Sequence, residues 1–160
     1  MKKLVNIIEK IQMSAGVLFI TTFLTTILMQ IVLRILQISA MWTEDIIKNS
    51  FIWAVFMGAS VMVNHKAHFS FTSLADKLTG NKKVLHEILV CAIMLVFSLA
   101  IAYYGYLVTD RFWHYQWSNI PSFKMGWTWM CLPVSGVTMS IYLMYQIYEN
   151  ITIVVKGEKI

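Results

Sequence analysis

The sequence predicts an all-α integral membrane protein with four transmembrane helices. Three observations carry that prediction. Of 160 residues, 58% are hydrophobic and 13% are charged, whereas soluble domains run at about 45–50% apolar and about 25% charged. Mean hydropathy is +0.66. Four stretches, 11–33, 49–65, 88–109 and 125–148, contain no Asp, Glu, Lys or Arg. About 20 residues at 1.5 Å rise cross about 30 Å of hydrocarbon, so each stretch is long enough to span or nearly so. This composition excludes a soluble enzyme and a disordered segment. The length leaves one membrane domain, 1–160, with no room for a separate soluble one.

The first span is placed at 12–33. Before it, Leu4, Ile7, Ile8 and Ile11 recur at helical spacing opposite Lys2, Lys3, Glu9 and Lys10. That pattern predicts a short amphipathic helix in the headgroup layer. The apolar run that follows has 23 residues, too long for the h-region of a cleaved signal peptide, which runs to about 7–15. Within the span, Thr21, Thr22, Thr25, Thr26 and Gln30 are polar. The threonines either line a groove or bond back to their own helix, and Gln30 is a candidate for an interhelical hydrogen bond.

The second span, 44–64, borrows its entry turn from charged residues. Arg34 closes the first span, and Trp42-Thr43-Glu44-Asp45 follows eight residues later. Thr43 is a candidate N-cap, and the two acids complement the helix dipole. The short connection, which has room for a short interfacial helix within 34–43, brings Arg34 close to Glu44 and Asp45. An ion pair there would fix the angle between the first two helices; the plainer reading is a set of cap and snorkel residues. Phe51 to Val63 is apolar nearly all round, where a soluble bundle helix would keep a polar stripe.

The third span is placed at 86–109 and the fourth at 125–148. Ala54 and Gly58, and likewise Gly136 and Ser140, sit four apart, a spacing that lets helices approach closely in lipid. Pro133 removes a backbone donor and predicts a kink or loosening around 129–133. Cys91 and Cys131 fall in opposite leaflets and are read as small apolar residues rather than a disulfide.

Flanking cations set the orientation. Nine Lys lie beside the two termini and the connection between spans two and three; Arg34, Lys48, Arg111 and Lys124 lie on the other side. The positive-inside rule places both termini in the cytoplasm. Trp42, Trp113, Trp117, Trp127 and Trp129 then form a belt at the outer interface. No basic run is dense enough for nucleic acid.

Intramembrane ionisable residues mark ion paths, and every Asp and Glu here lies at a span end, in a loop or in a tail. A small autonomous dimeric transporter would need such a residue. A four-helix haem anchor would need His or Met projecting inward from opposed helices; His65, His68 and His86 are the candidates near one surface. No nucleophile–base pair, metal cluster or phosphate loop suggests an enzyme, and no cofactor is expected in this chain.

The ordered set Arg34, Trp42-Thr43-Glu44-Asp45, Trp53, Phe56, Gly58-Ala59 and His68-Phe69, then Ser118, Pro121, Trp127-Thr128-Trp129 and Leu132-Pro133-Val134-Ser135-Gly136, resembles the small membrane subunit of TRAP transporters, the DctQ-like family. It departs from that family's pattern at Asp45, where a second Glu is usual, and at Phe69, where a small aliphatic residue is usual. The resemblance covers nearly the whole chain. It implies a scaffold in a bacterial inner membrane, packed in the bilayer against a large elevator-type subunit. That partner carries the organic-acid and sodium sites, and a periplasmic binding protein delivers the substrate, for example a C4-dicarboxylate or sialic acid. Arg34, Trp42, Glu44, Asp45, Ala54, Gly58, His68, Pro133 and Gly136 are then candidates for internal or subunit packing. Arg111, Ser118, Asn119 and Lys124 are candidates for docking the binding protein.

Overall fold

The structure, a computed structural model, describes residues 2–65 and 81–156. Helix α1 spans Lys2–Ile35, α2 Trp42–Asn64, α3 Asn81–Phe112, the single turn α4 Gly126–Trp129, and α5 Cys131–Lys156. Among the described residues, four segments are long and apolar enough to cross a membrane: Lys2–Ile35, Trp42–Asn64, Leu85–Phe112 and Gly126–Thr152. They overlap the expected spans closely.

Two expectations change. The amphipathic segment at 4–11 is not a separate element. It forms the first turns of α1, which runs unbroken for 34 residues, about 51 Å at 1.5 Å per residue. Val5 and Gln12 on this stretch are buried, so its inward face packs on protein. The connection 36–41 is a turn rather than an interfacial helix. Here Ile38 N–H bonds to Leu33 O at 2.9 Å and Gln37 N–H to Arg34 O at 3.1 Å. Gln37 has φ 57°. Together these make a Schellman ending with glutamine where glycine is usual.

The helices stand in a row in the order α1, α2, α5, α3. The edge helices are nearly bare: 6% of the most apolar window of α1 and 11% of that of α3 is buried, against 33% in α2 and 44% in α5. Lipid is as apolar as leucine, so close approach and polar ties must hold such a row together.

The α3–α5 seam is built on small residues. A Cβ on Gly136 would lie 2.5 Å from Ala102 N and 2.9 Å from Ser98 O; one on Gly105 would lie 2.6 Å from Leu132 Cβ. Ser98 and Ser140 hydroxyls meet at 2.9 Å across the same seam. Gly136 and Ser140 therefore act as their spacing suggests. Ala54 is also buried. Gly58, one turn further along, is exposed, and a Cβ added to it would meet nothing within 4 Å.

Polar ties join the central pair to its neighbours. Gln12 Nε2 donates to Thr138 Oγ1 at 2.7 Å, and Gln12 Oε1 accepts from Tyr142 OH at 2.5 Å, tying α1 to α5. Gln146 Nε2 donates to the carbonyls of Val63 and Asn64 at 2.9 and 3.1 Å, satisfying the C-terminus of α2 from α5. Asn64 Nδ2 donates to Glu9 Oε2 at 2.7 Å, and His65 Nε2 lies 2.8 Å from Glu9 Oε1. Three of the four threonines of α1 bond back to their own helix: Thr21 to Val17 O, Thr22 to Leu18 O and Thr26 to Thr22 O. Gln30 is not among the interhelical ties; Gln12 and Gln146 take that role. His68, with its neighbours 66–80, lies outside the described residues.

Pro133 acts where its chemistry requires. The helix is interrupted at Met130, between α4 and α5, within the turn whose carbonyls lose the proline donor. Trp53 Nε1 donates to Trp127 O at 3.0 Å, so a side chain from α2 satisfies a carbonyl at that interruption. Cys91 and Cys131 are buried and form no disulfide with each other.

Gly136→Leu should destabilise the purified chain by about 1–3 kcal/mol, the usual cost of overpacking. Gly58→Leu, at the same helical spacing from Ala54 but facing outward, should leave its thermal unfolding in detergent unchanged. Equal effects from the two would refute the seam.

Candidate functional site

The end of the row opposite Glu9 carries most of the sequence motifs. Helix α2 begins at Trp42, one residue before the expected cap. Met41 occupies the N-cap without a side-chain bond, and Thr43 Oγ1 instead donates to Ala40 O at 2.7 Å. Thr43 thus fastens the preceding turn and does not cap the helix.

The expected pairing of Arg34 with an acid is not formed. Asp45 is buried, and its carboxylate accepts the Asn119 backbone N–H at 2.7 Å and Asn119 Nδ2 at 3.4 Å. Glu44 sits 3.7 Å from Lys48, both exposed. Among the described residues Arg34 takes part in no ion pair. It lines, with Glu44, a cleft of about 430 Å³ between the end of α1 and the start of α2. The two acids share a turn of helix but face different surroundings, and the burial of Asp45 selects it for the loop.

That loop, 113–125, folds back on itself. Gln116 and Lys124 form an isolated antiparallel bridge. Met125 N–H bonds to Tyr115 O at 2.8 Å, and Trp117 N–H to Phe123 O at 3.0 Å. Trp117 stacks on Phe123 with ring centroids 5.1 Å apart. Its Nε1 donates to Thr128 Oγ1 at 3.1 Å, and Thr128 in turn donates to Asn49 Oδ1. Asn49 Nδ2 donates to Asp45 O at 2.6 Å. A continuous chain of bonds therefore runs from the loop through α4 into the first turns of α2.

Gly126 is required by close packing, because a Cβ there would meet the Trp113 ring and lie 3.0 Å from its Cα. Lys124 Nζ stands 5.6 Å from the Trp113 ring centroid, within cation–π range. Trp113 also meets Trp127 at 5.9 Å, and Phe112 meets Trp129 at 5.7 Å.

Of the four residues expected to dock a partner, Arg111, Ser118 and Lys124 are exposed at this end. Asn119 is half-buried and holds Asp45 through its backbone N–H and its Nδ2. Trp42 is exposed at the start of α2. Sequence reasoning missed the tying roles of Asn49 and Thr128. Each is a polar residue just inside a span end, the only signal that could have marked it. The arrangement offers helix-tying amides and a rigid, aromatic, cationic surface. It assembles no nucleophile and base among the described residues.

The fold and this end define a polytopic, four-helix membrane protein whose polar groups bind helices to one another. The family model for the DctQ component of tripartite ATP-independent periplasmic transporters matches residues 23–153, and the chain belongs to that family. It is also 25% identical, over 122 residues, to a Haemophilus influenzae protein provisionally named a TRAP transporter small permease protein, covering 72% of this chain and 71% of that one. The family is one of transport components rather than enzymes, and its tripartite character implies further partners.

Asp45→Ala should cost about 1–3 kcal/mol, the penalty for leaving a buried donor unmade, and should accelerate amide exchange across 113–125 while sparing the α3–α5 seam. Arg34→Ala should change the stability of the isolated chain by less than about 0.5 kcal/mol. A larger loss for Arg34 than for Asp45 would restore the ion-pair reading.

Proposed function

We propose that this chain is the scaffold subunit of a sodium-coupled TRAP transporter that imports an organic acid across a bacterial inner membrane. A large membrane subunit holds the substrate and sodium sites, and a periplasmic binding protein supplies the acid. Both termini lie in the cytoplasm, as the nine-to-four distribution of cations supports. The tryptophan-rich end then faces the periplasm.

The observation that carries the scaffold role is the open row of helices with bare edges. Its central polar side chains, Gln12, Tyr142 and Gln146, are engaged in ties between helices. No Asp, Glu, Lys or Arg lies in the four uncharged stretches. Such a chain is suited to extending a partner's framework in the bilayer, with the coupled movement of ions and solute left to the partner.

The test is reconstitution. Proteoliposomes with both membrane subunits, the binding protein and an inward sodium gradient should accumulate an organic acid; this chain alone should accumulate none. Uptake by the chain alone would install the autonomous-transporter reading, and failure of the large subunit to co-purify with it would remove the scaffold role.

The exposed cations of the outer end support docking of the binding protein. Reversing Arg111 and Lys124 together to Glu should lower uptake several-fold at limiting binding protein and low salt, where electrostatic steering is strongest. The deficit should shrink at saturating binding protein. Unchanged uptake at limiting concentration would move the docking surface elsewhere.

A further inference from the structure

We infer that the cleft between α1 and α2 is a seat for a single phospholipid headgroup, with zwitterionic phosphatidylethanolamine preferred over anionic lipid. This inference rests on the membrane fold alone and holds whether or not the chain works in a transporter.

The cleft, about 430 Å³, is lined by Arg34, Gln37 and Glu44, and further along α1 by Ile27, Ile31 and Leu33 with one polar residue, Gln30, among them. From Ile27 to Arg34 is seven residues, about 10 Å along the helix axis. The lining therefore passes from headgroup level into hydrocarbon, which matches a glycerophospholipid better than a free anion.

Charge selects the headgroup. The Arg34 guanidinium, in no ion pair among the described residues, offers a planar fork for a phosphodiester. Glu44 shares the cleft and is held only loosely by Lys48, at 3.7 Å with both side chains more than half exposed. Its carboxylate repels a second negative charge and attracts an ammonium. Cation and anion at one rim, not paired with each other, complement phosphate and amine on one ligand. The left-handed Gln37 turns the chain at the end of α1 and places itself in the lining of the cleft.

Native mass spectrometry of the full chain from detergent, with phosphatidylethanolamine and phosphatidylglycerol supplied at equal mole fraction, tests this directly. The wild type should retain phosphatidylethanolamine preferentially. Arg34→Gln should reduce retention of both lipids by about tenfold, as loss of a charge-assisted bidentate contact implies. Glu44→Gln, at an exposed side chain, should bring the two lipids towards parity, and it tests the seat even if Arg34→Gln fails to fold. Lys48→Gln should leave the preference in place. Equal retention by wild type and Arg34→Gln, or parity in the wild type, would overturn the inference. So would an equivalent adduct with inorganic phosphate alone, which would make the cleft an ion site. Loss of the lipid on binding the large subunit would assign the cleft to a protein partner instead.

Discussion

Helices in a bilayer gain little from burying apolar surface against one another, because the lipid they displace is equally apolar. Everything in this fold follows from that constraint. The chain is held by two devices that work in lipid: backbones brought close by missing side chains, and polar groups with no water to turn to. Gly136 and Gly105 permit the first between α3 and α5. Gln12, Tyr142 and Gln146 supply the second around α2 and α5. The glycines act at the α3–α5 seam, where Ser98 and Ser140 add a polar contact, and the glutamines act at the ties of α5 to α1 and α2.

The two ends of the molecule use polar ties differently. At the Glu9 end Gln146 satisfies the last carbonyls of α2, which that helix cannot satisfy itself, and Glu9 meets the side chains of Asn64 and His65. At the tryptophan-rich end they run through a folded loop. Asp45 and Asn119 are 74 residues apart in sequence, yet their contact joins the entry of the second span to the connection between the third and fourth. The tryptophan-rich surface is thereby a fixed extension of the helices.

Much of this is legible in the sequence. Span positions follow from uncharged runs, and the interruption at Met130 from Pro133. What hydropathy cannot supply is helix rotation. Phe51 to Val63 is apolar nearly all round, so nothing in its pattern says which face meets protein. Gly58 and Gly136 have equivalent spacing signals and opposite fates for that reason. Short chain separation likewise favours a pairing of Arg34 with Glu44 or Asp45, whereas burial commits Asp45 to a distant loop. Gln12 and Gln146 are visible as polar residues in apolar helices, but their partners depend on rotation and cannot be read.

The row of helices has a further consequence for an energised membrane. A closed bundle surrounds an axis, and an axis lined with polar groups invites water and ions. A row one helix deep at its edges surrounds very little, and Gln12, Tyr142 and Gln146 are engaged in bonds between helices. An ion in its path would meet the same dielectric barrier it meets in lipid. In the scaffold role proposed above, that arrangement enlarges the protein footprint in the bilayer without adding a polar axis for ions to follow.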